Sequence, residues 1–362
     1  MIRILHAADL HLDSPFSGLT PEEARRRRRE SRRLPERLAD LVLARGVDLV
    51  LLAGDLFDGE RVYPETLEAL RAALARMGCP VVIAPGNHDP YISGSPYARG
   101  NWPENVHIFR ESALKALEFP DLGCTVYGAA FTDTLRTDAA LDCPAADSGQ
   151  PLRLLCLHGE IDRQDSRYGP VLSGQLEAWG FHYAALGHIH ACSGLQRGRR
   201  TCWAYSGCTE GRGFDETGEK GVLLCEVDEK GATAAFLPLE GIRYHSLSVD
   251  VTGVSCCAAL ESALADAGER DICRVRLTGE CESAPDLREL ERRFAPRCCR
   301  LELRDETRPA AAVWAEEGEE TLRGLFLREL RRQYDAAADE AQREKILLAV
   351  RFGLAALDGR DL

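Results

Sequence analysis

Five short segments of this 362-residue chain carry the side chains best suited to chemistry. They are Asp9-Leu10-His11, Gly54-Asp55-Leu56-Phe57-Asp58, Gly86-Asn87-His88-Asp89, His158-Gly159-Glu160 and Gly187-His188-Ile189-His190. Carboxylates, neutral imidazoles and an amide suit borderline divalent ions such as manganese, iron or zinc better than calcium or magnesium. The donors exceed what a single ion needs. Two ions sharing a carboxylate, about 3.5 to 4 Å apart, would use them and form the clamp expected for phosphate-ester hydrolysis. Asp-x-His puts alternate residues of an extended segment on one face, and His188 with His190 repeats that geometry. Taken singly, an Asp or His at a strand end is more often a turn former than a ligand, so the argument rests on the set.

The elements that must position these residues alternate. Val47 to Ala53, Val81 to Ala84, Cys124 to Phe131, Arg153 to Leu157 and Tyr183 to Leu186 read as strands, several apolar on both faces and therefore buried inside layers. Thr20-Pro21-Glu22-Glu23 is a capping box with proline at the first helical position, which predicts a helix running towards Gly46. A second helix is predicted from Pro64 to Met77, stopped by Gly78. Strands alternating with helices define an α/β layered domain, whose strand ends converge on one crevice. The loops span about 180 residues, yet on this architecture they share a centre. From Thr201 to Leu239 the spacing becomes hairpin-like and the sheet mixed.

After Gly241 the pattern changes to a strand (Tyr244 to Val251), a helix (Ser255 to Ala267), a strand (Ile272 to Leu277) and a helix (Ala284 to Phe294). This reads as a small α+β satellite. Two amphipathic helices are predicted beyond the acidic stretch Ala315 to Glu320, with stripes Leu322, Leu325, Phe326, Leu330 and Ile346, Val350, Leu354, Leu357. The expected division is 1–240, 241–310 and 321–362. Two helices so placed either fold back on their own domain or dock on a partner.

A net charge of −13 argues against coating nucleic acid or membrane through bulk positive charge, and leaves room for a local site. The 14 cysteines are scattered without a CxxC, which favours reduced, buried thiols. The N-terminus lacks the apolar run of a signal peptide, and no stretch is apolar enough for a membrane helix, so a cytoplasmic location is expected.

The segments ADLHLDSPF, LLAGDLFD, APGNHDPY and ALGHIH resemble the calcineurin-like metallophosphoesterase superfamily. Within it they are similar to the DNA-repair exonuclease branch, the nuclease subunits of SbcC–SbcD-type complexes and their YhaO-type relatives. The resemblance covers about the first 240 residues. It implies a layered α/β/β/α sandwich with a small α+β capping domain and C-terminal helices. It also implies two divalent ions, manganese first with iron or zinc as alternatives: Asp9, His11 and His190 on one, Asn87, His158 and His188 on the other, Asp55 bridging. His88 is then the proton donor to a leaving 3′ oxygen, oriented by Asp89, and Asp58 supports a ligand histidine from behind. The implied partners are DNA and an SbcC-like ATPase, with homodimerisation. Tyr205-Ser206-Gly207-Cys208 departs from the pattern by lacking the proline that many relatives carry before the glycine.

Two arginine clusters outside the motifs bear on substrate. Arg25 to Arg29, with Arg32 and Arg33, reads as a solvated helix face rather than a DNA phosphate contact, because Glu22, Glu23, Glu30 and Glu36 partly neutralise it. Arg197, Arg199 and Arg200, just after the last motif, are candidates to meet a phosphodiester backbone. His6, two residues before Ala8, reads as a core group near the site. Two other functions remain open at this stage, a phosphatase or phosphodiesterase on a small ester and a non-hydrolytic regulator of an ATPase. The complete donor set speaks against the last.

Overall fold

The computed structural model describes residues 1–59, 61–142, 149–281 and 284–359. They form two units, 1–212 with 219–241, and 213–218 with the chain from 242 onward. The first unit begins with β1 (Ile2–Ala7), α1 (Pro21–Ser31) and α2 (Leu34–Arg45). The capping box is present, with the Thr20 hydroxyl accepting from Glu23 N and the Glu23 carboxylate accepting from Thr20 N. The single helix expected as far as Gly46 is broken in two. Pro35 offers no N–H and in a continuous helix its ring would meet the carbonyl of Ser31, so α1 stops at Ser31 and Pro35 takes the first turn of α2. Gly46 ends α2 at φ 58°.

There follow β2 (Leu49–Leu52), α3 (Pro64–Met77), β3 (Val81–Ile83), α4 (Pro96–Arg99) and β4 (Val106–Ile108). Next come β5 (Lys115–Phe119), β6 (Cys124–Gly128), β7 (Leu152–His158), the short pair β8 (Glu160–Ile161) and β9 (Pro170–Val171), and α5 (Ser173–Trp179). The unit closes with β10 (Tyr183–Gly187), β11 (Gln196–Arg197), β12 (Cys202–Tyr205), β13 (Gly221–Asp228) and β14 (Gly231–Pro238). Two mixed six-stranded sheets result, in the orders β14-β13-β1-β2-β3-β4 and β11-β12-β10-β7-β6-β5. The hairpin expected after Thr201 is split: β12 lies parallel to β10, while β13 and β14 join the other sheet.

The sheets stack on a shared core, with Ile4, Leu51 and Val82 from one facing Val126, Leu154 and Tyr183 from the other. The outer face of the first sheet packs Leu5 and Val50 against Leu38 and Leu70 of α2 and α3, and that of the second packs Leu155 against Leu176 of α5. This is the α/β/β/α sandwich. Strands buried on both faces explain the unbroken apolar run Leu49 to Ala53. No helix among the described residues is long and apolar enough to cross a membrane. All described cysteines are free, and Cys143 lies outside the described residues.

The second unit holds β15 (Arg243–Asp250), α6 (Cys256–Ala263), β16 (Asp271–Thr278), β17 (Glu280–Cys281), α7 (Leu287–Phe294), β18 (Arg300–Asp305), β19 (Arg308–Pro309), α8 (Leu322–Ala336) and α9 (Glu340–Leu357). Its parallel sheet β15-β16-β18 gains a strand that the sequence pattern does not reveal, because Arg300–Asp305 carries only two apolar residues. On α8 the buried leucine is Leu327, while Leu322 and Leu325 are 71% and 55% exposed, so the apolar stripe is turned from the one expected. On α9, Val350 and Leu354 are buried as expected.

Asp271 is the polar anchor of this unit. Its buried carboxylate accepts from Arg243 Nε and Nη2, His245 Nε2 and Gly268 N at 2.8–2.9 Å. Burial pushes the carboxyl up, but these donors outweigh it and hold it below the usual range. The stabilisation is therefore present above the ordinary carboxylate pKa and is lost as pH falls through the lowered one. Asp271→Asn is expected to destabilise the second unit by about 2 kcal/mol, since a charged acceptor of several bonds is lost. Urea unfolding should show that loss at neutral pH and a smaller difference in acid.

Candidate metal centre

Every one of the five loops leaves the carboxyl end of a parallel strand. Asp9 and His11 follow β1, Asp55 and Asp58 follow β2, Asn87 and His88 follow β3, His158 ends β7, and His188 and His190 follow β10. The loop after β1 rides on the loop after β2 through Asp9 N to Gly54 O, His11 N to Asp55 O and Leu12 N to Leu56 O, all within 3.0 Å. Asp9, His11, Asp55 and His188 sit at φ 53°, 44°, 50° and 104°. Left-handed backbone at non-glycine residues costs about 1–3 kcal/mol each and persists only where the surroundings impose it. Two glycines are required by close approach. A Cβ on Gly86 would lie 2.2 Å from Asp55 Oδ1, and one on Gly54 would lie 2.4 Å from the His158 ring.

The donors converge. Asp9, His11 and His190 form one cluster and Asp9, Asp55 and His158 another, each with its ligand atoms within 4.8 Å. His11 Nε2 is 3.2 Å from His190 Nε2 and 3.7 Å from Asp55 Oδ2. His158 Nδ1 is 2.9 Å from the Ala53 carbonyl, which places the proton there and leaves Nε2 a bare lone pair. That lone pair faces Asn87 Oδ1 at 3.0 Å and Asp55 Oδ2 at 3.4 Å, both acceptors, and His188 Nδ1 is 3.3 Å from the same Asn87 oxygen. Lone pairs aimed at one another without a proton between them are the donor set of a cation, so these residues fit divalent metal.

Charge in the site follows from burial. Asp9 is held well above the carboxylate range by desolvation and then by the neighbouring Asp55. Burial lowers His11 and His188 to about 4 and His158 to about 3, keeping them neutral and ready to ligate. His88 is raised, first by its bond to Asp58. For Asp58 burial works upward, but bonds from His11, His88 and Ser14 prevail and hold it well below its usual range.

Asp58, not Asp89, is the partner of His88. His88 Nδ1 lies 2.8 Å from Asp58 Oδ1, while Asp58 Oδ2 accepts from Ser14 Oγ at 2.6 Å and His11 Nδ1 lies 3.3 Å from Oδ1. Asp89 is fully buried and accepts from Phe57 N, Gly86 N and Tyr97 Oη, so it braces the loops after β2 and β3. Asp58→Asn should lower kcat on end-labelled DNA by about 10- to 100-fold with a smaller change in KM, because an amide cannot favour the protonated imidazole.

Arg197, Arg199 and Arg200 are not at the site. β12 runs parallel to β10 with Cys202 opposite Tyr183, so the turn before β12 lies at the start of β10. The site lies past its end, about 13 Å further along the strand. There Arg197 bonds Ala232 O, and the backbone N–H groups of Arg199 and Arg200 bond Glu177. Besides Lys220, whose Nζ is 3.4 Å from the His190 carbonyl, the structure brings in Arg212, with Nη2 3.3 Å from His190 Nδ1 and Nη1 3.7 Å from Asp58 Oδ1. No motif spacing points to it. Tyr168 carries no sequence signal either, and its ring lies 5.2 Å from that of His188. Of the α1 arginines, Arg27 is buried against Glu210 and the Gly211 carbonyl, while Arg25, Arg26 and Arg29 are exposed. His6 is buried between Tyr183 Oη and the Leu186 carbonyl, a core group.

Geometry of this kind on this sandwich defines a class, and sequence comparison agrees with it. The Calcineurin-like phosphoesterase family profile matches residues 2–192, and the chain belongs to that family, whose chemistry is metal-dependent phosphoester hydrolysis. Over 280 residues it is 31% identical to the uncharacterized metallophosphoesterase YhaO of Bacillus subtilis (strain 168), covering 73% of this chain and 67% of that one. It is 37% identical over 94 residues to the SbcD component of the SbcCD nuclease of Rhodobacter capsulatus, covering 25% and 22%. It is 29% identical over 251 residues to the DNA double-strand break repair protein Mre11 of Aeropyrum pernix, covering 62% and 57%. The chain thus spans less than two thirds of the last two.

Proposed function

We propose that this chain is a binuclear-metal-dependent phosphodiesterase acting on DNA. The observation that carries the reading is the bare Nε2 of His158 facing Asn87 and Asp55 across from the Asp9, His11 and His190 cluster. Asp9, His11 and His190 would hold one ion, Asn87, His158 and His188 the other, and Asp55 both. Bound divalent ions supply Lewis acidity at the phosphate and a water acidified for attack, for which manganese, iron and zinc all suit the donors. The chain's own part is positional. Asn87, fixed by its loop, orients the non-bridging oxygens. His88 has its Nδ1 engaged by Asp58 and is 46% exposed, so Nε2 is the proton source for the leaving oxygen.

DNA is favoured over a small ester because two relatives are by name a nuclease component and a DNA-break repair protein. The second unit, with its own core, is an appendage that a small-ester hydrolase does not need, and we assign it a DNA-capping role. The exposed Leu322 and Leu325 of α8 and Leu348 and Phe352 of α9 support docking of an SbcC-like ATPase there. The test is degradation of end-labelled duplex and single-stranded DNA with manganese, beside a chromogenic phosphodiester. Degradation of DNA is expected, and hydrolysis of the small ester alone would overturn the DNA reading.

A further inference from the structure

On β1 alternate side chains face the second sheet, and Ile2, Ile4 and Ala8 in that row are apolar members of the shared core. His6 stands among them, fully buried. A polar ring in such a row is costly unless both nitrogens find partners. Nε2 lies 3.1 Å from the Leu186 carbonyl and Nδ1 2.8 Å from Tyr183 Oη, both on β10 of the other sheet. A carbonyl can only accept, so Nε2 carries the proton and Nδ1 accepts from the Tyr183 hydroxyl. The Tyr183 oxygen is in turn bonded to the Cys225 thiol of β13, which donates to it. One acceptor at the end of the chain thus assigns every proton along it. Burial, against the opposing effect of the Leu186 carbonyl, brings the His6 pKa down to about 3, and the ring is neutral.

We propose that His6 is a positioning residue for the metal ligands, fixing β10 against β1 so that His188 and His190 stand opposite Asp9 and His11. The inference rests on the metal-dependent phosphoesterase reading and deepens it with a residue outside the ligand set. Three successive residues at the end of β10 touch the other sheet. Leu186 does so through its carbonyl on His6. Gly187 comes so close that a Cβ there would lie 1.8 Å from the Ala53 carbonyl oxygen and 3.0 Å from Ala8 Cβ. His188 follows, its backbone N–H 3.1 Å from both carboxylate oxygens of Asp9. The Gly187 contact limits how near the strands come, whereas a directional bond from a rigid ring fixes where along β1 the end of β10 stops. Tyr183, earlier on β10, holds the same ring at its other nitrogen. Two points of β10 are therefore tied to one side chain of β1, directly below the ligands.

The test uses the full chain, stripped with chelator and titrated calorimetrically with manganese. Thermal melts are recorded in chelator, the electron paramagnetic resonance spectrum is taken at manganese saturation, and kcat and KM are measured with bis-p-nitrophenyl phosphate. His6→Leu is expected to weaken manganese binding and lower kcat, each by about 10-fold or more, with KM less affected. Its saturated spectrum should differ from the parent's, because the coupling between two manganese ions follows their separation. His6→Gln should recover most of the affinity and the parent spectrum, since a carboxamide can donate to Leu186 and accept from Tyr183. Tyr183→Phe removes one of the two ties and a single oxygen, and should move affinity and spectrum the same way by a smaller factor. Manganese affinity within about twofold of the parent with an unchanged spectrum in His6→Leu, or in Tyr183→Phe where His6→Leu does not fold, would overturn the proposal. A lower melting point in chelator with those two readouts unchanged would overturn it as well, leaving His6 a purely structural residue. A parent chain whose manganese affinity depends on His6 but which hydrolyses no ester would sink the phosphoesterase reading alone.

Discussion

His88→Asn is expected to retain its metal and lose hydrolysis. His88 shares a donor cluster with His11 and Asp58, but it is placed to move a proton: its Nδ1 is taken by Asp58, its backbone N–H donates to Asp55 Oδ1, and its ring is half-exposed at the rim. Asparagine keeps the backbone bond to Asp55 and removes the titrating group at that rim position. A positioned proton donor contributes about 100- to 10,000-fold to rate, and kcat should fall within that range. The loss should be largest for esters with poor leaving groups, such as a nucleoside 3′ oxygen. It should shrink for p-nitrophenolate, which leaves without a proton. Comparing the two substrates with bound manganese measured alongside checks the assignment. An equal loss on both would make His88 a structural residue, and normal cleavage of DNA would remove it from the mechanism.

Asp55→Asn is expected to have opposite effects on stability with and without metal. Asp55 and Asp9 are both buried, and the charge of Asp55 contributes to holding the Asp9 carboxyl up. Neutralising Asp55 removes like-charge repulsion from a dry site, so the chelated protein should melt no lower than the parent. With metal the order reverses. An ion present at about one hundred times its dissociation constant stabilises by about 2.7 kcal/mol, and a chain that has lost the shared carboxylate forgoes most of that. Thermal melts in chelator and in manganese should therefore cross over. Hydrolysis should fall further than in His88→Asn or Asp58→Asn, because the bridging charge itself is gone. If the variant gained as much stability from manganese as the parent, Asp55 would not be a ligand.

The parts of this molecule that can be read from sequence are those where a local rule is also the global one. Val81 to Ala84 and Tyr183 to Leu186 are apolar on both faces because they lie inside layers, and the polar residues that follow them can only be at strand ends. Asp9, His11, Asn87, His158, His188 and His190 are legible on that ground, and the structure brings them together. What cannot be read depends on direction. Whether Asp58 or Asp89 meets His88 is set by left-handed Asp9, His11 and Asp55, which turn the two loops against each other. Arg197 to Arg200 follow the last motif closely, but β12 returns parallel to β10 and carries them to the far end. Arg212 is remote from every motif and reaches the site only through the fold. The break between α1 and α2 is written in Pro35, though the strong cap at Thr20 suggests a helix running past it.

The stacking of the two sheets has a consequence for how metal and fold depend on each other. Asp9, His11, Asp55 and Asn87 hang from one sheet, and His158, His188 and His190 from the other. Beneath them the layers meet through Ala8, Ala53, Ala84, Ala185 and Ala204, side chains small enough to set a close spacing. An ion held by both groups would then be a clasp across the sandwich, and its fit would depend on the gap between the layers. Enlarging the fully buried Ala185 to valine would be expected to wedge the layers apart and change which ion fits. Amide exchange at the strand ends of both sheets should slow together on metal binding, as two halves closing on one rivet.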